Sequence, residues 1–347
     1  KGMDTSAILG FTNSLLDVIK RENPDHLAVA FDNGGSLTRS EAFPEYKSNR
    51  NETPEAIKIA IPYIHKILEA MHIPIIEKKG FEADDLIGTL SKQAEKAGYQ
   101  TFMVTPDKDF AQLVSENIFM YKPARMGNGI EIWGIPEVQK KFEVERPEQV
   151  IDFLGMMGDA VDNIPGLPGV GEKTAKKFLK QYGSMENLLA HTHELKGKMK
   201  EKVEANKELG LLSKELATII LDCPVEFHEE DFELNTPDFE KTNEVFKELE
   251  FRRIAESLNK IFKIPAAEIA KNTDSKETNT ATKTSQVANQ QFDLFATPAA
   301  IHTEEQGLTG FKTYQNTDHL YQYTNTPLSR KLLLKKLMQQ KSVSFHI

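Results

Sequence analysis

Three short apolar runs, each followed by acidic residues that open a helix-forming stretch or a turn, constrain this chain more than any other feature. Leu27-Ala28-Val29-Ala30-Phe31 runs into Asp32 and then Asn33-Gly34-Gly35-Ser36. Ile73–Ile76 precedes Glu82-Ala83-Asp84-Asp85, which opens a predicted helix to about Ala97. Thr101–Thr105 stops just before Asp107-Lys108-Asp109, which opens another. Strand, loop and helix in alternation predict a parallel sheet covered by helices, an α/β fold. In such sheets functional groups collect at the carboxyl ends of the strands, and these acids fall there. A helix is also predicted over residues 4–21, from the spacing of Ile8, Leu15, Leu16 and Ile19, with Asp4 or Thr5 as its cap. Thr53-Pro54-Glu55 starts a further helix carrying Ile57, Ile61, Ile64, Leu68 and Met71. Pro62 is expected to kink or split it.

From about residue 147 the pattern turns helical, with short connections, and it holds to about Phe262. Residues 166–207 carry nine Lys and five Glu, a local surplus of positive charge. Residues 263–305 read as a flexible linker: between 271 and 290 there are five Thr and one large aliphatic residue, Val287. Beyond it, Leu332, Leu333, Leu334 and Leu337 suggest a helix, and Ser342–Ile347 alternates like a strand. The expected division is therefore 1–146, 147–262, a linker over 263–305, and the start of a further domain over 306–347.

Composition removes several classes. The single cysteine, Cys223, excludes an internal disulfide framework and a Cys-based zinc finger, and it fits a reducing compartment. No apolar run approaches the roughly 18–20 residues of a membrane span, and nothing reads as a secretory leader, so a cytoplasmic location and no membrane partner are expected. With 43 basic and 52 acidic residues the net charge is −9, which argues against a uniformly basic nucleic-acid coat but leaves room for a local basic surface.

The acids come in groups. Glu82 and Asp85 share a helix face, Asp107 and Asp109 flank Lys108, and Asp159 and Asp162 lie three apart in Gly158-Asp159-Ala160-Val161-Asp162-Asn163. Any one pair reads first as a helix cap complementing the dipole. Taken together with Asp32 and Asp84, they read as a metal site, because crowded carboxylates are tolerated when a hard divalent cation neutralises them. Two such ions can activate water and stabilise the leaving oxygen of a phosphodiester.

The most specific local signal is Asn163-Ile164-Pro165-Gly166-Leu167-Pro168-Gly169-Val170-Gly171-Glu172-Lys173-Thr174-Ala175. Gly169 and Gly171 permit a sharp turn and a close approach. The helix start beyond them offers backbone N–H groups to phosphate, with Lys173, Lys176 and Lys177 adding charge. This is the form of a helix-hairpin-helix that grips a nucleic-acid backbone without reading its sequence. The spacing is not that of a nucleotide P-loop.

These motifs, with Val29-Ala30-Phe31-Asp32, Gly80-Phe81-Glu82-Ala83-Asp84-Asp85 and Thr105-Pro106-Asp107-Lys108-Asp109, resemble the 5′-nuclease domains of bacterial polymerases of the DNA polymerase I type, within the flap endonuclease family. The resemblance runs from Lys1 to about Phe262. It implies a PIN-like α/β nuclease core followed by an all-helical helix-hairpin-helix domain. It implies that Asp32, Glu82, Asp84, Asp85, Asp107, Asp109, Asp159 and Asp162 form the site of two Mg2+ ions, with Mn2+ as an alternative. Arg39, Tyr46, Lys47 and Arg50 match a mobile arch segment; Arg39 and Lys47 would act on the scissile phosphate, and Tyr46 and Arg50 would contact the 5′ strand. The resemblance also places a K+ ion at the hairpin, where Gly169, Gly171, Lys173, Thr174, Lys176 and Lys177 would bind DNA. The family's opening strand, which ends in another metal-site Asp, is not represented. Residues from about 312 weakly resemble the start of a 3′-5′ exonuclease-like domain.

Within the linker, Gln291-Phe292-Asp293-Leu294-Phe295 resembles the pentapeptide that docks bacterial replication proteins on the sliding clamp. Gln291 would be the polar anchor, and Leu294 and Phe295 would fill a groove. A chance apolar patch, or a segment that packs on a neighbouring domain, is an equal reading. The leading functional reading is a monomeric, structure-specific 5′-3′ exonuclease and flap endonuclease. It would act on 5′ flaps, nicked or primed duplex and RNA primers in replication and repair, in a parent that also polymerises DNA. The alternatives are a non-catalytic DNA-binding module tethered to the clamp and a ribonuclease with a similar acidic sheet.

Overall fold

Residues 3–124 and 129–262 are described by a computed structural model of the chain, and along them the predicted alternation of strand and helix is present. In chain order the first half holds α1 (Ser6–Glu22), β1 (Val29–Ala30), α2 (Leu37–Ala42), α3 (Glu55–Ala70), β2 (Ile75–Ile76), α4 (Ala83–Lys96), β3 (Thr101–Val104), a 3-10 helix (Lys108–Leu113), β4 (Ile118–Lys122) and β5 (Glu131–Trp133). The second half holds α5 (Ile135–Phe142), α6 (Gln149–Met157), α7 (Glu172–Tyr182), α8 (Met185–Ala190), α9 (Gly197–Ala205), α10 (Lys207–Ala217), α11 (Glu229–Phe232), α12 (Phe239–Glu248) and α13 (Arg252–Ile261). The expected linker and the segment after it lie outside the described residues.

The strands are shorter than the apolar runs that contain them. β1 and β2 pair in parallel at Val29↔Ile75 and Ala30↔Ile76. β3 and β4 pair in parallel from Thr101↔Ile118 to Val104↔Tyr121, and β5 adds an antiparallel edge at Met120↔Trp133. α4 packs against β1, β3 and β4, so one helix lies over both sheets. Its inward face, led by the fully buried Leu86, is the reason the run of residues 83–96 forms a helix.

Two expectations are corrected. Pro62 does not split its helix: α3 is continuous from Glu55 to Ala70. Pro62, Ile61 and Lys58 all lie on the exposed side, so the Lys58 carbonyl that loses its partner faces water. The helix expected after Asp107 is a 3-10 helix instead, entered through an Asp107 carboxylate that accepts the Asp109 N–H at 3.0 Å.

The hydrophobic core divides into two clusters, and the division does not follow the expected boundary near residue 146. One cluster joins β3, β4 and the 3-10 helix to α5–α10 through Met103, Met120, Phe153, Leu167 and Leu216. The other joins α1 and α3 to α12 and α13 through Ile8, Ile67, Leu68, Phe246 and Leu258.

Gly158 closes α6 and turns the chain toward the acids at Asp159 and Asp162. Its φ is +74°, and a Cβ there would stand 2.5 Å from the Ile164 carbonyl oxygen and 2.9 Å from the Gly166 nitrogen. Both contacts are backbone, so neither can swing aside. Gly158→Ala is expected to cost about 1–3 kcal/mol from overpacking and left-handed strain, read as a lower midpoint in urea unfolding.

Candidate active site

The N-terminus of α4 gathers the first group of acids. Glu82 stands at the N-cap, and its N–H donates to the Asp85 carboxylate at 3.2 Å. Asp32, at the carboxyl end of β1, accepts the Ala83 N–H at 2.7 Å. One carboxylate oxygen from each of Glu82, Asp84 and Asp85 lies within 4.8 Å of the others. Burial, and next the charge of Asp85, push the Asp84 carboxyl up to about 7.

The second group is built by the entry to the 3-10 helix and the turn after α6. Burial, and next the charge of Asp107, push the Asp109 carboxyl up to about 7, and Asp159 and Asp162 add to it. Asp109 Oδ1 is buried without a hydrogen-bond partner. Asp159 accepts Lys108 Nζ at 2.5 Å and the Val161 N–H at 2.7 Å. Burial works to raise the Asp159 carboxyl, but these bonds outweigh it and hold it below the ordinary value.

Lys47 joins the two groups. Its ammonium lies 2.6 Å from Glu82 Oε1 and 3.7 Å from Asp162 Oδ2. Arg50 also pairs with Asp162. The Tyr46 hydroxyl donates to Glu82 Oε2 at 2.9 Å, and burial, then the Glu82 charge, raise the phenol's pKa. The segment that carries these residues is tied to the turn after α6. The Lys47 N–H donates to the Asp162 carbonyl at 2.9 Å, Asn49 Nδ2 to the Ala160 carbonyl at 2.7 Å, and Asn163 Nδ2 to the Glu45 carbonyl at 2.7 Å. The expected arch residues thus face the acids.

Arg39 departs from its expected role. It is 5% exposed, and its donors are spent inside the protein. Nε donates to the Leu216 carbonyl at 3.1 Å, and Nη1 to Glu82 at 3.1 Å and Asp85 at 2.8 Å. Nη2 donates to Asp85 at 2.7 Å and the Thr218 carbonyl at 2.8 Å. A guanidinium has five donors, so none is left for a phosphate. In this structure Arg39 is a buried counter-ion of the acids. Burial, the largest single effect, works to lower its pKa; the Asp85 bond and the charges of Asp85 and Asp84 together outweigh it and raise it.

At the hairpin, Gly171 caps α7 and Gly169 takes a φ of +87°. The turn is seated on the helices behind it: the Gly166 N–H donates to Ser213 Oγ on α10 at 2.9 Å, and the Leu167 N–H to the Met156 carbonyl at 2.9 Å. Lys173 and Lys177 are exposed. Lys176 is not free: its ammonium pairs with Glu172 at 3.0 Å and Glu143 at 3.3 Å. The Thr174 N–H is bonded within the turn, to the Gly171 carbonyl at 2.9 Å. A Cβ at Gly169 would stand 3.0 Å from Lys202 Nζ, so a protein cation already lies beside this backbone.

The structure adds groups that sequence reasoning did not single out. Lys108 is a site cation, signalled only by its place between two acids. Gln112 and Asn163 hold the surrounding loops through hydrogen bonds; Asn163 falls in both the acidic and the hairpin motifs, whereas Gln112 has no signal in one sequence. The linker residues Gln291, Leu294 and Phe295 lie outside the described residues. Among the described residues, no helix is long and apolar enough to cross a membrane.

Residues 1–143 match the family model of the 5′-3′ exonuclease N-terminal resolvase-like domain, and residues 145–240 match that of the 5′-3′ exonuclease C-terminal SAM fold. The chain is 42% identical over 259 residues to a DNA polymerase I of Bacillus caldotenax, which covers 74% of this chain and 29% of that protein. It is 38% identical over 263 residues to a 5′-3′ exonuclease of Aquifex aeolicus, covering 76% of this chain and 88% of the relative. The chain therefore spans under a third of the caldotenax polymerase but most of the stand-alone exonuclease. Two solved structures share the fold. One is a bacteriophage T5 flap endonuclease in a pseudo-enzyme–product complex with DNA and metal ions, with a TM-score of 0.53 at 19% identity over 74% of this chain and 91% of that one. The other is the catalytic core of Rad2 with a DNA substrate, with a TM-score of 0.53 at 16% identity over 75% and 86%.

Proposed function

This chain belongs to the 5′-3′ exonuclease family, and from that membership we propose that it hydrolyses phosphodiesters of DNA at 5′ flaps and 5′ ends in nicked or primed duplex. The observation that carries the reading is the buried Asp109 oxygen that no protein donor satisfies, crowded by Asp107, Asp159 and Asp162, together with the separate acid cluster of Glu82, Asp84 and Asp85. Carboxylates pushed up to about 7 by burial and by one another are poised for an external cation. An all-oxygen donor set fits a hard divalent ion, Mg2+ with Mn2+ as the alternative.

Glu82, Asp84, Asp85 and Asp32 would hold one ion, and Asp107, Asp109, Asp159 and Asp162 the other. When bound, such ions lower the pKa of a water and stabilise charge developing on the phosphate. Lys47, between the two acid groups, would neutralise and orient the phosphate, and Arg50 would take the adjacent strand. Tyr46 keeps Glu82 aimed through its hydroxyl. Lys173, Lys177 and the start of α7 would hold the duplex backbone. A K+ ion at the hairpin would share that backbone with Lys202. Primer removal and repair, a polymerase elsewhere in the parent, clamp docking through Gln291, Leu294 and Phe295, action as a monomer and a cytoplasmic location complete the proposal.

The test is cleavage of a labelled DNA flap by the chain, with Mg2+ and with EDTA. Cleavage near the junction with Mg2+ and none with EDTA is expected. Flap binding with no cleavage at any metal concentration would leave the non-catalytic DNA-binding reading in its place. Preference for an RNA flap over DNA would point to the ribonuclease reading.

A further inference from the structure

Beyond α10 the chain runs extended past α4, and its backbone is held almost entirely by side chains. On α4, Asp85, Thr89 and Gln93 stand four residues apart and so form one row. Asp85 accepts the Ile220 N–H at 2.8 Å. Thr89 donates to the Ile220 carbonyl and accepts the Cys223 N–H, each at 3.3 Å. Gln93 donates to the Val225 carbonyl at 2.9 Å and accepts the Phe227 N–H at 2.7 Å. Gly88 lies beside this row and makes room for the strap's side chains: a Cβ there would meet Ile219 Cγ2 at 2.8 Å and Leu221 Cδ2 at 2.9 Å.

The same strap is gripped from the other acid group. Gln112, in the 3-10 helix and 5% exposed, donates to the Ala217 carbonyl at 3.0 Å and accepts the Ile219 N–H at 2.9 Å. It also donates to the carbonyl of Asp109 at 3.0 Å. Arg39 binds the carbonyls of Leu216 and Thr218 and, at its other end, the carboxylates of Glu82 and Asp85. Among the described residues no hydrogen bond joins the first acid group to Asp107 or Asp109 directly. Residues 216–220 are the shared reference: Arg39 and Asp85 fix one group to it, and Gln112 fixes the other.

We propose that Gln112 is a positioning residue for the metal site, setting the second acid group in register with the first through the strap of residues 216–220. The proposal rests on the metal reading above. Its amide is bonded to the backbone of both partners, at Asp109, Ala217 and Ile219, so its loss should loosen the site rather than empty it.

The experiment is thermal unfolding of the chain against Mn2+ concentration, which reads metal binding without cleavage. Gln112→Met keeps the buried volume and removes all three hydrogen bonds. Gln112→Asn keeps an amide one methylene too short to span both partners. Gln93→Met is the control, because it loosens the strap at Val225 and Phe227, beyond the shared reference of residues 216–220. Both Gln112 variants are expected to raise the Mn2+ midpoint about tenfold, the scale for residues that orient metal ligands, while Gln93→Met lowers the unfolding temperature and leaves the midpoint in place. Should one Gln112 variant not fold, the other carries the measurement. If the wild type responds to Mn2+ and the Gln112 variants share its midpoint, or Gln93→Met shifts it equally, the positioning role is overturned. If the wild type does not respond, the metal reading itself falls, and this inference with it.

Discussion

Asp109→Asn is expected to lower Mg2+-dependent flap cleavage by about 100-fold or more while leaving the chain folded and able to bind DNA. The substitution keeps the shape of the side chain and removes its charge. In the metal-free protein that charge is a burden: Asp109 Oδ1 is buried and unpaired, and burial and Asp107 push the group up to about 7. Neutralising it relieves repulsion among Asp107, Asp159 and Asp162, so the unfolding temperature in EDTA is expected to stay level or rise. Loss of function with no loss of stability marks a group retained for its ligand rather than for the fold. Single-turnover cleavage and unfolding in EDTA, measured on the same preparations, check both halves. Cleavage near the wild-type rate would remove Asp109 from the metal site.

Arg39→Met is expected to have the opposite profile, with a fall in stability of about 3–5 kcal/mol, the scale for breaking a buried ion pair from one side. Without the guanidinium, Asp85 and Glu82 are left as buried anions with reduced compensation, and the Leu216 and Thr218 carbonyls lose their donors. Arg39→Lys should recover only part of this, because an ammonium cannot place five donors in a planar fork. Urea unfolding gives the number directly. A loss of about 1 kcal/mol or less, the range of an exposed pair, would show that water replaces the network.

The contrast between these two residues shows what one sequence can carry. Asp109 announces itself: an acid just past an apolar run, beside another acid, is visible as a pattern. So are the parallel pairs, because Val29 and Ile75 sit in apolar runs bounded by turns. Arg39 belongs to a recognisable segment, but whether a cation there faces a substrate or a buried carboxylate depends on how α2 meets α4 and the end of α10. No local pattern encodes that meeting. Gln112 is harder still, since its partners lie 105 and 107 residues away and are backbone groups without sequence identity. Pro62 was misleading because its penalty is set by which side of α3 faces water, and the apolar stripe alone does not say how much of that side is exposed.

The division of the core has a consequence for how this protein comes off the ribosome. α1 and α3 are made well before α12 and α13, which complete their apolar faces. The same closure is stitched by backbone bonds from Leu27 to Phe232, from Leu234 to Asp25 and from Asp238 to Ala70. Until those helices are made, the faces are only partly covered, where α1 and α3 pack on each other, and closing so large a loop is slow compared with local helix formation. The nascent chain thus carries a sticky surface for the time needed to make some two hundred further residues, at translation rates of about 5–20 residues per second. The interval is long enough for holding chaperones to matter, and it ends only when α13 has been released.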